Sequence, residues 1–495
     1  MFYRISTLLF ALLFFSIVFP QKGWSQCNCK REFLFLRSYM ENNYPGFKDK
    51  MPVYGGLDYK KFTQQYETKT ALEKNNTYCM ALMKEWLRYF KDNHIQMPRT
   101  PVKGNDSMAL IERIKNAERI NITPKAIKKI KENKGIEGVY YRDDSVFKVA
   151  VIKSPNTWRT YAAVVLETKN KNWSPGMVKF ELKEKNDSSK YEDKWLFDYP
   201  SIFYFDDHTL TTNKRISFSG YGMDGGIWKK EGLKESADEQ AKRDKWKQER
   251  KNNPKKDTWS FLEFSKPDEN CAYMRISSFD GDNALKIDSF VKAVDTIISH
   301  TPYLIIDIRN NGGGADRSYN ALIPYLYTRP IVTVGMSMLA TKDNIEAEKK
   351  AISTIESEET KSNLRKDIAE MQENLGHFTP SGNDTIVMKS IKKYPEKIAI
   401  LVNGNCASTA EQFLLAAQQS SKVVIMGQTT DGTLDYSNKR PKPFPCIPYT
   451  LEYPITRSGR LPLHPIDNIG IKPDVSLNST DWVKESIEYL KKGVK

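Results

Sequence analysis

Two short stretches of this chain carry groups that could do chemistry, and they share one layout. In "ILVNGNCASTAEQFLLAAQ", residues 400–418, an apolar run ends at Val402, a polar turn follows, and a helical pattern begins around Ser408. Ser408-x-x-Glu411 is a capping-box spacing, so the serine could serve only as a helix cap. The same place suits a nucleophile, because the N–H groups and dipole of a helix N-terminus stabilise developing negative charge. In "YLIIDIRNNGGGADRS" a buried strand over residues 303–308 runs into Asn310, Asn311, Gly312, Gly313 and Gly314. Glycines let the backbone approach a ligand closely and turn its N–H groups toward an anion. No G-x-G-x-x-G or G-K-[ST] pattern is present, which argues against a nucleotide and leaves an oxyanion hole as the sharper use. Cys406 is a rival nucleophile; in an oxidising compartment it is expected to be buried or bonded, with Cys446 a candidate partner.

These stretches belong to a long, multidomain α+β chain. At 495 residues the protein is expected to hold several domains. Residues 1–26 read as a signal peptide: Arg4, an apolar run, Pro20, then "WSQ". Residues 27–130 show helical periodicity, with Leu72, Cys79, Leu82, Trp86, Leu87 and Phe90 near one face. Residues 131–232 alternate apolar and polar positions between Asn, Gly and Asp turns, which predicts a β-rich module, a small barrel or sandwich. A charged connector, 233–257, leads to an α/β domain over 258–495, in which strands and helices alternate. Within it, 343–376 is a charge-rich helical insertion suited to a lid or a packing arm. No internal repeat is visible.

Composition narrows the function. The net charge of +15 comes from 76 basic and 61 acidic residues, and the lysines are scattered rather than gathered in a stripe with aromatics. That pattern disfavours nucleic acid as a partner. The six cysteines permit disulfides, but Cys27-x-Cys29 has no second pair at zinc spacing, so no metal is expected. No cofactor motif is present. No stretch beyond the signal reaches about 18 apolar residues, so the mature protein is expected to be exported, to the periplasm or beyond. Membrane attachment would require lipidation at Cys27, where "WSQC" is a poor signal. A homo-oligomer is compatible with the sequence.

"YLIIDIRNNGGG" followed by "KIAILVNGNCASTAEQFLLAAQQSSKVVIMGQTTDGT" resembles the catalytic domain of the C-terminal processing (tail-specific) serine peptidases and their tricorn-core relatives. The resemblance spans about residues 303–433, with weaker echoes at "NYPGF", "KDNH" and "DNIGIKPDV". It implies a crotonase-like α/β catalytic domain with Ser408 as nucleophile. It also implies an oxyanion hole from the N–H groups of Gly313 or Gly314 and of Thr409. Tail-specific members use a lysine base in a "T-x-G-K-G" loop, whereas this chain reads "TTDGTLDY", with Thr433 at the lysine; Lys439 comes six residues later. The tricorn-like branch draws a histidine from the N-terminal helical segment and a carboxylate downstream of the serine, which maps to His94 and Asp467. Chemistry asks for the same parts, an imidazole and a partner that fixes its tautomer. His464 is the fallback base. The β-rich segment stands where such enzymes carry a carboxylate-binding PDZ domain, but lacks its binding loop. The expected function is an exported serine peptidase acting on peptides or unfolded protein through an acyl-enzyme. A catalytically inactive, peptide-binding family member is the alternative, and a small-molecule hydrolase or isomerase on the same fold is a third reading.

Overall fold

The computed structural model describes residues 28–492, apart from 54–58, 75, 99, 101–113, 115–116, 134–135, 143–144, 155–158, 185–201, 205–208, 213–214, 220–226, 233–260, 356 and 480. The proposed signal peptide, Cys27 and the charged connector therefore lie outside the described residues.

The site is positioned by a six-stranded sheet. Its order is Val475–Ser476, Val423–Gly427, Lys397–Val402, Tyr303–Asp307, Cys271–Ile276, Leu262–Asp268, all parallel except the last strand. "YLIID" and "KIAILV" are continuous apolar runs because parallel strands are covered on both faces. Helices Ala284–Ile298 and Thr409–Ala417 share the larger core on one face, around Ile287, Val291, Ile306, Ile400 and Phe413. Trp482–Lys492 covers the other face through Trp482, Ile487 and Leu490. Strands Tyr303–Asp307 and Lys397–Val402 lie side by side in register, Asp307 opposite Leu401. Their carboxyl ends consequently deliver the glycine loop and the serine turn next to each other, at the sheet end where α/β proteins hold ligands.

A three-stranded sheet, Met336–Met338, Thr450–Ser458 and Tyr436–Pro443, receives the N-terminal helices. Phe33, Met40, Tyr44, Trp86 and Phe90 pack there with Tyr436, Leu451 and Tyr453 in one core. Cys29 and Cys79 form a disulfide across this helical segment. The helix expected to run through residues 72–90 is two, Tyr59–Leu72 and Asn76–Leu87, followed by a 3₁₀ turn, Arg88–Phe90. Leu72 is 75% exposed, so it is off the buried face assigned to it. The "EKNN" stretch breaks the periodicity, as asparagine pairs do when they favour turns over helix.

Eight consecutive antiparallel strands between Gly138 and Lys230 close into a barrel. Phe147, Trp173, Phe180 and Trp228 fill its core, with Lys179 Nζ 4.4 Å from the Phe147 ring centroid and 4.2 Å from that of Trp173. The charged insertion forms helices Lys342–Ile352 and Glu358–Glu373. It acts as a packing arm: Asn344 Nδ2 donates to Asn43 O at 3.1 Å and Thr341 Oγ1 to Asn43 Oδ1 at 2.6 Å, joining the arm to the helical segment.

Candidate active site

Ser408 sits on the turn between strand Lys397–Val402 and helix Thr409–Ala417, at φ 57° and ψ −121°. A non-glycine residue in this region costs on the order of 1–3 kcal/mol, so the surroundings must impose it. They do so from two sides. The Ser408 N–H is held by Thr433 O at 3.0 Å and by Glu411 Oε2 at 3.2 Å. Gly313 lies so close that a Cβ there would stand 2.8 Å from Ser408 Cβ and 2.7 Å from Ala407 O. With φ at 99° as well, only glycine fits that position.

Asn311 ties the glycine loop to the serine turn, and the residue pattern alone gave it no role. Fully buried, it donates from Nδ2 to Ile276 O at 3.0 Å, accepts Gly313 N–H on Oδ1 at 3.0 Å, and accepts Ala407 N–H on its carbonyl at 3.1 Å. Gly313 N–H is thus already engaged. The N–H groups of Gly314 and Thr409 make no hydrogen bond among the described residues, which leaves them as the donors available to an oxyanion.

Glu411 does more than cap. Its buried carboxyl accepts from Thr430 Oγ1 at 2.5 Å, Gly432 N at 2.7 Å and Thr433 N at 2.8 Å, besides Ser408 N. Burial pushes its pKa up to about 7 against these stabilising donors. It fixes the 430–433 loop, where Thr433 Oγ1 bonds Asp431 Oδ2 and accepts from Asn93 Nδ2 at 3.2 Å. The position a lysine would occupy is therefore an anchor for the residue before His94.

The structure brings His94 and Ser408 together across 314 residues, with His94 Nε2 3.2 Å from Ser408 Oγ. That is hydrogen-bond range for an imidazole taking a serine proton. His464 is exposed on the loop after Arg460, with no side-chain hydrogen bond among the described residues, and Lys439 pairs with Glu452 at 3.0 Å. The partners of Asp467 lie elsewhere. Its Oδ1 accepts the N–H groups of Leu434 at 2.9 Å and Asp435 at 2.8 Å, and its Oδ2 pairs with Lys50 Nζ at 3.3 Å. It makes no hydrogen bond or ion pair with His94. The carboxylate facing the ring is that of Asp92, whose Oδ1 stands 4.0 Å from His94 Nδ1 and accepts the His94 N–H at 2.9 Å. Asp92 Oδ2 accepts from Tyr44 Oη at 2.7 Å. Burial, and then the charge of Asp467, raises the Asp92 pKa above the usual carboxylate range; Lys50 and His94 oppose this.

The proposed pairing of Cys406 with Cys446 is corrected: Cys406 is a free, buried thiol, whereas Cys446 is disulfide-bonded. Cys406 Sγ donates to Ile308 O at 3.1 Å, and burial pushes its pKa up to about 12, so it packs the turn and supplies no thiolate. Among the described residues no cluster of three or more His, Cys, Asp or Glu could hold a metal ion, and no helix is long and apolar enough to cross a membrane.

A strained serine stands between a glycine loop and a histidine on a mixed α/β multidomain scaffold, the set of parts a serine peptidase needs. Residues 270–477 match the model of peptidase family S41. The solved structure of mature CPAF complexed with lactacystin aligns over 94% of this chain and 97% of its own, at 15% identity and a TM-score of 0.52. A CPAF mutant gives 15% identity, 94% and 96% coverage, and a TM-score of 0.51. The photosystem II D1 C-terminal processing protease gives 12% identity, 92% and 95% coverage, and a TM-score of 0.38. No curated protein sequence matches the chain.

Proposed function

We propose that the protein is an exported serine peptidase that cleaves peptides or unfolded protein through an acyl-enzyme on Ser408. The observation that carries this is the approach of His94 Nε2 to Ser408 Oγ at 3.2 Å, on a turn that holds the serine at φ 57°. In this reading Nε2 takes the hydroxyl proton as Oγ attacks the scissile carbonyl. The tetrahedral oxyanion then meets the N–H groups of Gly314 and Thr409, and the same imidazole returns the proton to the leaving amine. Asp467 belongs to the buried cluster that holds His94 in place. Export is supported by the N-terminal signal pattern and by the Cys29–Cys79 disulfide, a bond that persists in oxidising compartments.

A serine-reactive fluorophosphonate tests the reading. Wild type is expected to label at Ser408, and Ser408→Ala to fold without labelling. A folded wild type that never labels but still retains peptides would move the protein to the alternative, an inactive peptide-binding member, for which the missing lysine at Thr433 is the supporting feature.

A further inference from the structure

A histidine base needs its second ring nitrogen held by an acceptor, and two carboxylates crowd this one. We propose that Asp92, not Asp467, is the carboxylate that orients the His94 imidazole, and that Asp467 works one layer further out by holding Lys50. The inference rests on the reading of His94 as the base.

His94 Nδ1 is buried and has no hydrogen-bond partner among the described residues. Asp92 Oδ1, 4.0 Å away, is the carboxylate oxygen in front of it, and the Asp92 side chain is shut off from solvent. Backbone geometry fixes the pair: Oδ1 is already tied to the His94 N–H, so the two side chains share one short turn. Tyr44, the C-cap residue that ends the first helix, Cys29–Asn43, clamps the other oxygen. When Nε2 takes the serine proton, the ring becomes a cation. A shift of about 1 Å then brings Nδ1–H into hydrogen-bond range of Oδ1, a tightening common between apo and reacting sites. Asp92 stays a carboxylate throughout, and no proton passes to it.

Asp467 cannot substitute from where it sits. Its oxygens are committed to Leu434 N, Asp435 N and Lys50 Nζ. Lys50 in turn reaches Lys91 O at 3.4 Å, and Asn468 Nδ2 donates to the same carbonyl at 2.9 Å. Both residues thus act on the peptide that precedes Asp92. The charged and titratable groups linked to the histidine's segment are Asp92, which faces the ring, Tyr44 bonded to Asp92, Lys50 bonded to the Lys91 carbonyl, Asp467 bonded to Lys50, Asp431 bonded to Asn93, and Glu411 behind the 430–433 loop.

The test compares Asp92→Asn, Asp467→Asn and Tyr44→Phe in the mature chain. It reads the pH dependence of fluorophosphonate labelling, the His94 ring titration by NMR with histidine-labelled protein, and the melting temperature. Asp92→Asn is expected to slow labelling about 100-fold or more and to move the His94 titration to lower pH by about one unit or more, because a facing negative charge is gone. Asp467→Asn should slow labelling less and leave the titration nearer wild type. Tyr44→Phe keeps the charge but frees the carboxylate, so it should slow labelling several-fold with little movement of the titration. A larger titration shift in Asp467→Asn than in Asp92→Asn overturns the proposal, as does an Asp92→Asn protein that only melts earlier. If Asp92→Asn does not fold, an unchanged labelling rate in Tyr44→Phe overturns it. If wild type never labels, the peptidase reading fails, while the NMR titration still decides which carboxylate faces His94.

Discussion

The two halves of the site are built on different principles. The Ser408 half is made almost wholly of main chain: two adjacent strand ends, a glycine without room for a side chain, and N–H groups gathered by Asn311 and Glu411. The His94 half has no regular element under it. It follows Lys91, which sits at φ 43°, and is held by side chains from other parts of the chain: Tyr44, Lys50, Asp467, Asn468 and Thr433. A main-chain scaffold tolerates many side-chain changes but no bulk at its glycine. A side-chain scaffold tolerates bulk better, yet fails when one buried partner is removed.

Breaking the chemistry itself should give the largest effect. His94→Ala is expected to lower kcat by about 10³-fold or more, whereas His464→Ala should leave it near wild type. Peptide turnover under saturating substrate distinguishes them, and equal losses would move the base away from His94. Gly313→Ala probes the main-chain half. A methyl group 2.8 Å from Ser408 Cβ must displace the serine turn, and a loss of about 10²–10³ in kcat is expected with little change in His94. Near-normal turnover would show that the turn can yield.

Lys50→Met probes the imported half. Breaking the Lys50–Asp467 pair leaves a buried carboxylate, for which about 3–5 kcal/mol is the usual cost. Unfolding in denaturant should show the helical segment loosening, and the double variant Lys50→Met with Asp467→Asn, which removes the charge but keeps an oxygen for the Leu434 and Asp435 N–H groups, should recover much of the loss. The smallest effect is the pH slope set by Glu411. Its folded pKa, about 7, lies above the unfolded value, so its favourable contribution is complete below about 4.5 and is lost as pH rises through 7. Glu411→Gln should flatten this part of the stability–pH curve while lowering stability overall, since one acceptor oxygen is lost. Denaturation midpoints at pH 5 and pH 8 provide the check.

How much could be read beforehand follows the same division. Ser408 and the glycine run were legible because strand, turn and helix succeed one another within twenty residues and leave a local pattern. His94 was visible only through a family resemblance, because nothing in "KDNH" announces a partner 314 residues away. Asp92 stands in that same tetrapeptide, without a signal of its own. The spacing of an acid and a histidine two apart is common, and it is the hydrogen bond from buried Tyr44, 48 residues away, that sets this acid apart. Asn311 was hidden by the glycines after it. Alternation located the strands of the middle module, but closure into a barrel depends on pairing the Gly138–Arg142 strand with Ile227–Lys230, which periodicity cannot specify.

The bond from Asn468 to the Lys91 carbonyl spans 377 residues, with a complete barrel threaded in between. During synthesis the segment bearing the histidine emerges early and must wait for its clamp. At roughly 5–20 residues per second that interval is on the order of 20–75 s. Ser408 is made only late in that interval, and the 466–468 loop ends it. Until residue 468 has been made, the segment bearing the histidine lacks its clamp, so the order of synthesis itself delays assembly of the site.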